Sequence, residues 1–256
     1  DLLERELIIL EEENIHKQLS GKNILITGAS GSIGSEIVRQ VSKYNTKHLI
    51  LLDQAESPLF HLELECLDKY TDKDYSIVLA DICDRSRMES IFEKFKPEII
   101  FHAAAYKHVP LMEQNVSASF RTNVLGTDRL ASVAVEKHVD RFVMISSDKA
   151  VRPTSILGVT KRIAERIISE RPSNNTTFVS VRFGNVLESS GSVVPLFKEQ
   201  IAKGGPVTVT SPKVRRFFMT VSESVDLVLL AGTVGRNGEI MVLEMGESVK
   251  VADLAR

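Results

Sequence analysis

The sequence predicts an α/β fold, a doubly wound parallel sheet with a small C-terminal lobe, and three observations support this prediction. Short apolar segments alternate with amphipathic helical segments from residue 23 to residue 182. Only short breaks separate them, which is typical of parallel strands joined by right-handed helical crossovers. Beyond residue 182 the segments shorten, and glycine and proline become frequent in stretches such as GSVVP and KGGPVTVTSP.

The opening unit, residues 23–44, reads NILITGASGSIGSEIVRQVSKY, an apolar run followed by a glycine-rich turn and an amphipathic helix. A dinucleotide site needs this order, because the three glycines allow a tight turn, close approach of a pyrophosphate and close helix packing. The helix N-terminus then offers free N–H groups and a positive dipole end to the phosphates. A plain structural turn is the alternative. The pattern favours a Rossmann-type domain whose cofactor contacts Gly28, Ser30, Gly31, Ser32, Ile33 and Gly34.

The second predicted strand, residues 48–53, ends in the carboxylate of Asp53, about 25 residues after the first glycine of the turn. A carboxylate near this position accepts hydrogen bonds from the adenosine ribose hydroxyls. It would repel the 2′-phosphate of NADP, and no arginine stands beside Asp53 in the sequence to reverse that preference. NAD is therefore the favoured cofactor and NADP the second choice. The alternative role for Asp53 is to cap the helix that follows.

The third and fourth predicted strands span residues 76–80 and 98–101. Asp81 and Ile82 follow the third strand, where a carboxylate commonly receives the adenine amino group, and Asp84 is expected to cap the next helix. Ligands of such sheets lie beyond the carboxyl ends of the strands, so residues after the fourth strand belong to the same site. Small side chains there let the backbone pass close to a flat cofactor at Ala103, Ala104 and Ala105.

Four further elements complete the predicted sheet region: a helix over 116–138, a strand over 141–145, a helix over 162–171 and a strand over 177–182. The fifth strand runs into SSDKAVRPTSILGVTKR, the second stretch rich in candidate site residues. We expect three regions. Residues 1–20 are an N-terminal arm or short helices, and residues 21–182 are a dinucleotide-binding domain. Residues 183–256 are a substrate lobe that is partly interleaved with that domain.

Bulk composition excludes several classes of partner. The formal net charge is −2 and the sequence pI is about 6.4, so electrostatics favour neither nucleic acid nor an anionic membrane. Cys66 and Cys83, the only cysteines in the sequence, fit a reducing compartment. No apolar stretch approaches the ~20 residues of a membrane span, so we expect a soluble, cytoplasmic chain. It begins without a methionine and stops in mid-pattern, so we expect a piece of a longer protein.

Five motifs occur in one order: TGASGSIG, HAAAYKHVP, SSDKA, the isolated Lys161 and RFGNV. With them the chain resembles the extended short-chain dehydrogenase/reductases. More narrowly, it resembles the bacterial polysaccharide-biosynthesis enzymes that are UDP-N-acetylglucosamine 4,6-dehydratases. The resemblance runs from about residue 20 to the end. It implies a catalytic core with NAD, a UDP-sugar substrate and a homo-oligomer. Many members carry an N-terminal membrane region, so it also implies the cytoplasmic domain of an inner-membrane protein.

In that family the sugar is oxidised at C4, water leaves across C5 and C6, and the hydride returns at C6. The elimination needs a base for the C5 proton and an acid for the departing C6 hydroxyl. The resemblance assigns the base to Lys149, the acid to Asp148 and hydrogen bonding of the C4 oxygen to Ser147. Lys149 must then be neutral and Asp148 protonated when they act. An ordinary loop ion pair between Asp148 and Lys149 is the alternative.

Lys161 matches the lysine of the family's Tyr-x-x-x-Lys motif, which holds the nicotinamide ribose hydroxyls. Leu157 occupies the place of the tyrosine, and no other tyrosine is in register. An apolar residue here resembles part of the dehydratase branch and counts against a UDP-sugar 4-epimerase, whose cycle relies on the tyrosine. The base for the C4 hydroxyl stays open between a water molecule, Asp148 and the substrate's own contacts.

The resemblance implies further contacts. Thr122 matches a cofactor contact, Lys107 a lysine near the substrate and the nicotinamide, and Arg216 a diphosphate contact, with a solvated surface residue as the alternative for Arg216. His102 and His108 are expected to be structural, and no metal site is expected. Competing functions are a UDP-sugar epimerase, another nucleotide-sugar dehydratase and a catalytically silent NAD(P)-binding module. The UDP-binding segment of the family matches Asn185, Val186, Ser190, Ser192 and Val193.

Overall fold

A seven-stranded parallel sheet forms the centre of the computed structural model, which describes residues 12–172, 175–187, 189, 192–209, 211 and 213–255. The strands are β1 Asn23–Thr27, β2 His48–Asp53, β3 Tyr75–Leu79, β4 Ile99–His102, β5 Arg141–Ile145, β6 Thr177–Arg182, β7 Asn185–Val186, β8 Arg215–Arg216, β9 Phe218–Met219, β10 Glu239–Val242 and β11 Val249–Lys250. The sheet order is β10-β6-β5-β4-β1-β2-β3, and every neighbouring pair is parallel. This order confirms the predicted Rossmann-type α/β fold.

Helices connect the strands and cover the sheet. They are α1 Glu12–Leu19, α2 Ser32–Val41, α3 Glu56–Lys69, α4 Arg85–Phe95, α5 Val109–Gln114, α6 Val116–Phe120, α7 Thr127–Glu136, α8 Ile156–Ser169, α9 Val193–Ala202, α10 Val221–Val234 and α11 Val251–Leu254. A π-helical stretch, Arg121–Gly126, joins α6 to α7, and a 3₁₀ turn, Asp148–Ala150, follows β5.

The strand bounds follow the apolar runs of the sequence closely. β2, β5 and β6 span the predicted residues, while β3 and β4 are each displaced by one residue. β10 was not predicted, because it is an edge strand whose last residue, Val242, is 70% exposed, and it lacks a continuous buried run. It pairs with β6, so a segment beyond residue 182 returns to the central sheet.

Two helices differ from the sequence prediction. The single helix expected over 116–138 is instead interrupted by the π-helical stretch, where the Asn123 amide bonds to the backbone of Tyr106 and Gly126 packs against Ile82. Helix α8 begins at Ile156 rather than at residue 162, because the Ser155 hydroxyl accepts a hydrogen bond from the backbone N–H of Gly158 and caps it.

The sheet separates two hydrophobic layers, and alternate side chains of β1 enter each. Ile24 and Ile26 belong to the layer that includes α1, α2 and α10, whereas Leu25 belongs to the layer that includes α4, α7 and α8. A third, smaller cluster lies in the C-terminal lobe and consists of Leu187, Phe197, Phe218 and Val251. Both faces of the main sheet are therefore buried, as parallel sheets require.

Helix α1 covers part of the region expected as an N-terminal arm. Its Ile15 and Leu19 side chains are only 1% and 3% exposed and belong to the first hydrophobic layer. Residues 1–11 lie outside the described residues. Among the helices that the structure describes, none has the length and apolar character needed to cross a bilayer.

Candidate active site

The glycine turn after β1 is shaped by two close backbone contacts. Gly28 has a φ of +67°, and a Cβ on it would lie 2.6 Å from the backbone nitrogen of Ala104. A Cβ on Gly34 would lie 2.0 Å from the Gly28 carbonyl oxygen, so α2 packs directly on the turn. Helix α2 starts after Gly31, and no side chain caps its N-terminus. The backbone N–H groups of the first turn of α2 are therefore directed at the space in front of the glycine-rich turn.

In front of the turn lies a cleft of about 750 Å³. Two predicted cofactor residues of the turn do not line it. Gly34 is a packing residue, and Ile33 lines the adjoining smaller cavity. The cleft also takes in residues that sequence reasoning missed, among them Ser35, Glu36, Arg39, Gln54 and Val221. The predicted residues that line it are Gly28, Ser30, Gly31, Ser32, Asp53, Ile82, Ala103, Ala104, Ala105 and Thr122.

Asp53 reaches the cleft from the end of β2. Its Oδ2 accepts hydrogen bonds from the Ser30 hydroxyl at 2.6 Å and the Ser30 backbone N–H at 3.0 Å. Its Oδ1 accepts from the backbone N–H of Ala55, and Ala55 itself is the N-cap of α3, so Asp53 does not cap that helix. The carboxylate is paired with hydrogen-bond donors of the turn rather than with a cation.

Folding brings Arg39 into the cleft from α2, although no arginine adjoins Asp53 in the sequence. Its Nε and Nη2 donate to the two carboxylate oxygens of Glu65, each at 2.8 Å, and Nη1 donates to Glu36. The hydrogen bonds that Arg39 donates to Glu65 raise the pKa of Arg39 above its ordinary value. The charge of Arg39 is therefore matched by two carboxylates. The pair of Arg39 and Glu65 could not be predicted from the sequence, because the two residues lie far apart in the chain, on α2 and α3.

Asp81 follows β3 but does not line the cleft, whereas its neighbour Ile82 does. The carboxylate accepts from the Cys83 backbone N–H and from Arg121, both at 2.8 Å. Burial acts to raise the pKa of Asp81, but these hydrogen bonds prevail and lower it. Asp84 accepts from the Arg87 backbone N–H and caps α4, as predicted.

A smaller cavity of about 260 Å³ adjoins the cleft, and Ala103, Ala105 and Lys107 line both spaces. Lys107 lies at the junction of the two spaces, and burial lowers its pKa. The other lining residues are Ile33, His108, Ile145, Ser146, Ser147, Lys149, Leu157, Lys161, Phe183, Gly184, Asn185, Val186, Ser189, Ser192 and Val193. This set contains most of the predicted catalytic and substrate residues.

The loop after β5 brings the three predicted catalytic residues together. The Ser147 hydroxyl donates to Asp148 Oδ1 at 2.9 Å, and Lys149 Nζ donates to the same oxygen at 3.0 Å. Lys149 Nζ also donates to Asn185 Oδ1 at 3.1 Å, which joins this loop to β7. Asp148 and Lys149 thus form an ion pair at the cavity, and Asp148 itself is not part of the cavity wall.

Lys161 lies on α8, one turn after Leu157. Its Nζ donates to the Ile145 carbonyl at 2.8 Å, and burial lowers its pKa to about 8 while Glu165 acts in the opposite direction. Leu157 is 3% exposed and supplies an apolar wall where a tyrosine would supply a phenol. Tyr106 does not line either space, and its backbone is held by the Asn123 amide at 2.8 and 3.1 Å.

His102 at the end of β4 is a structural residue. Its Nδ1 lies 2.7 Å from the Thr27 hydroxyl, and its Nε2 lies 2.9 Å from the Thr127 hydroxyl. Thr127 donates to the Asn123 carbonyl, so it accepts from Nε2–H, and Nδ1 accepts from Thr27. Burial lowers the pKa of His102 to about 3, which keeps the ring neutral.

The predicted substrate residues are only partly brought together. Asn185, Val186, Ser192 and Val193 line the smaller cavity, and Ser190 lies outside the described residues. Arg216 lines neither space; it is exposed on β8 and donates to the Arg215 carbonyl at 2.9 Å. Arg216 therefore lies on the surface of the described chain, and its contact with a diphosphate stays a prediction.

Comparison with known proteins places the chain in a family. Residues 24–256 match the family described as polysaccharide biosynthesis protein. The capsular polysaccharide biosynthesis protein CapD of Staphylococcus aureus is 49% identical over 259 residues, covering 100% of this chain and 43% of CapD. The chain thus spans less than half of that relative. A UDP-glucose 4-epimerase of Rickettsia canadensis is 34% identical over 246 residues, covering 92% of this chain and 69% of the epimerase.

Solved structures share the same architecture. Pen from Bacillus thuringiensis has a TM-score of 0.86 at 36% identity, and the match covers 93% of this chain and 72% of Pen. DesIV of Streptomyces venezuelae, a dTDP-glucose 4,6-dehydratase solved with NAD, has a TM-score of 0.80 at 22% identity, with 91% of this chain and 78% of DesIV covered. That second likeness concerns the fold alone. The chain therefore belongs to the polysaccharide biosynthesis protein family, built on the core of an extended short-chain dehydrogenase/reductase.

Proposed function

We propose that this chain is the catalytic core of a UDP-N-acetylglucosamine 4,6-dehydratase that works with NAD and yields a UDP-4-keto-6-deoxy-hexosamine. One observation carries the proposal. Lys149 and Asp148 form a hydrogen-bonded pair at a cavity that adjoins the cleft lined by the glycine-rich turn. An acid and a base beside a redox cofactor are what an oxidation followed by elimination of water requires.

The lining and the donors of the cleft suit a nicotinamide dinucleotide. Gly28 and Gly31 line the cleft, and the α2 N-terminus, which no side chain caps, suits a pyrophosphate. Asp53 would accept from the adenosine ribose, and Lys161 would donate to the nicotinamide ribose. Bound NAD would supply the hydride acceptor and donor of the cycle. DesIV, which shares the fold, is described with NAD bound.

The ion pair seen between Lys149 and Asp148 is one proton transfer away from the state that elimination needs. Moving the proton from Lys149 Nζ to Asp148 leaves a neutral amine and a carboxylic acid. The amine then removes the C5 proton of the 4-keto sugar, and the acid protonates the departing C6 hydroxyl, so that water is lost. The pair returns to ammonium and carboxylate. Ser147 would hydrogen-bond the C4 oxygen throughout.

A 4-epimerase is the second candidate, because the chain is similar to a Rickettsia protein named UDP-glucose 4-epimerase. Two features of this chain favour the dehydratase. Leu157 gives the cavity an apolar wall in place of a titratable phenol. Lys149 pairs with Asp148 at the same cavity, and inversion at C4 has no use for such an acid and base pair. A silent NAD(P)-binding module would need neither Lys149 nor Asp148.

Product analysis separates the three functions. The protein is incubated with NAD and UDP-N-acetylglucosamine, and the nucleotide sugars are examined by mass spectrometry. A dehydratase gives a product lighter by one water, and an epimerase gives an isomer of unchanged mass with a new retention time. The silent module gives neither, although NAD still raises its Tm as ligand linkage requires. An isomer, or no product at all, contradicts the proposal.

A further inference from the structure

A buried carboxylate behind the candidate active site has no role in the mechanism described so far. Glu165 lies on α8, one turn beyond Lys161, and its side chain is 0% exposed. A charge taken fully out of water is costly unless it is paired and hydrogen-bonded, so its partners matter.

Glu165 is bonded by three residues from three parts of the chain. Arg182, the last residue of β6, donates to both carboxylate oxygens at 2.6 Å. The Ser146 hydroxyl, just beyond β5, donates to Oε1 at 2.6 Å, and Arg162 of the same helix donates to Oε2 at 3.3 Å. The carboxylate therefore ties α8 to the carboxyl ends of the two strands that lead into the site.

Each tied segment carries a candidate site residue. Ser146 immediately precedes Ser147, and Arg182 immediately precedes the segment that reaches Asn185. The two loops also bond directly, because the Asp148 backbone N–H donates to the Phe183 carbonyl at 3.0 Å. A displacement of Arg182 or Ser146 would therefore alter the 3.1 Å contact between Lys149 and Asn185.

We propose that Glu165 is a positioning residue for the proposed dehydratase reaction. Its carboxylate fixes the loop of Ser147 and Lys149 against the loop of Asn185. The inference rests on the proposed function for its effect on turnover, whereas the contacts of Glu165 with Ser146 and Arg182 belong to the fold of this chain.

The effect of Glu165 on Lys161 depends on what surrounds Lys161. Glu165 acts to raise the Lys161 pKa against the effect of burial, which lowers it to about 8. His102, packed nearby at the end of β4, is neutral, and Lys107, His108 and Lys149 line the same cavity. Among these neighbours Glu165 is the acidic one. Loss of its charge should therefore leave Lys161 neutral at a lower pH.

The variants are Glu165→Gln, the double variant Glu165→Gln/Arg182→Gln, and Glu170→Gln as the matched control. Glu170 follows the same helix but pairs with Arg166 on the surface, where both side chains are more than half exposed. Glu165→Gln leaves the charge of Arg182, whose side chain is only 14% exposed, unmatched, so the Tm should fall, on the order of 10 °C. The double variant removes both charges and should recover most of that loss, which separates folding from positioning.

Two readouts then test the inference. In the cofactor-free protein, NMR of ¹³Cε-labelled lysine, with Lys161→Arg for assignment, should show the Lys161 pKa about 1 lower in both Glu165 variants. In turnover of UDP-N-acetylglucosamine, kcat of the double variant should stay about 100-fold below wild type with little change in KM, because misplacement of reacting groups is costly. Glu170→Gln should match wild type in both.

The outcomes separate this inference from the proposed function. A wild-type protein without turnover overturns the proposed function, while the Lys161 titration still decides the role of Glu165. A double variant with restored Tm, wild-type kcat and an unchanged Lys161 pKa would show that Glu165 serves folding alone and would overturn the inference.

Discussion

Gly28 passes Ala104 so closely that a Cβ on Gly28 would lie 2.6 Å from the Ala104 backbone nitrogen. The contact joins the turn after β1 to the loop after β4. Both segments line the cleft, and Ala103 and Ala105 of the second segment also line the smaller cavity. The shape of the proposed NAD site therefore depends on the absence of one methyl group.

Gly28→Ala should abolish NAD binding and lower stability, because alanine adds both an unfavourable positive φ and an overlap with the Ala104 backbone. We expect a loss of about 1–3 kcal/mol in the free energy of unfolding. Calorimetric titration with NAD and urea denaturation measure the two effects. Gly21→Ala is the matched control, since Gly21 has a φ of +70° with nothing within 4 Å of its Cβ position. Equal effects of the two substitutions would contradict the close-approach argument.

Asp53→Asn should weaken NAD binding and reduce discrimination against NADP. The carboxylate stands in the cleft with donors of Ser30 and Ala55 around it, so a 2′-phosphate would meet a negative charge. The asparagine keeps an acceptor but removes the charge, and we expect the ratio of NADP to NAD affinity to rise on the order of tenfold. Glu56→Gln, an exposed carboxylate nearby on α3, is the control. An unchanged ratio would argue against Asp53 as the selecting residue.

The buried, neutral His102 should make stability fall at acid pH. Its folded pKa is about 3 against an ordinary value of 6.5, so between these values only the unfolded chain takes up the proton. The contribution of neutral His102 to the free energy of unfolding is complete above pH 6.5 and is lost as the pH falls towards 3. Between pH 7 and pH 4.5 the loss is about 2.5 kcal/mol.

Urea denaturation across that pH range measures this effect by comparison with His102→Gln, which has no ring to protonate. The difference in the free energy of unfolding between wild type and His102→Gln should shrink as the pH falls. His61→Gln, at an exposed position on α3, should follow the wild-type curve. A difference independent of pH would mean that His102 titrates alike in the folded and unfolded chains.

Much of the fold could be predicted from local pattern. β2, β5 and β6 are continuous apolar runs between turn residues, so their bounds could be predicted without knowledge of their neighbours. β10 and the π-helical stretch could not be predicted this way. The edge strand lacks a buried run, and the π-helical stretch depends on the contact of Asn123 with Tyr106, which lies in a different segment.

In the candidate site, too, some residues could be predicted from the sequence and others could not. Ser147, Lys149, Lys161 and the glycine turn lie in motifs, and the structure gathers them around two adjoining spaces. The pairing of Glu165 with Arg182 carries no sequence signature, because each residue alone reads as a surface charge. Such pairs are fixed by packing between elements, and only the folded chain shows them.

Lys149→Met should reduce dehydration by about 10²–10⁴-fold, because it removes the base for the C5 proton while keeping a side chain of similar length. NAD binding should persist, since Lys149 does not line the larger cleft. Steady-state assay and NAD titration of the same preparation test both points. Lys137→Met, a surface lysine paired with Glu93, is the control. Near-normal turnover of Lys149→Met would require another base.

Turnover of UDP-N-acetylglucosamine with NAD in deuterated water, followed by NMR of the product, tests proton abstraction at C5 directly. We predict a UDP-4-keto-6-deoxy sugar with solvent deuterium at C5, because the proton taken by Lys149 exchanges with solvent before C5 is reprotonated. A product that retains its C6 hydroxyl, or a dehydrated product without deuterium at C5, would contradict proton abstraction by Lys149 as the basis of the reaction.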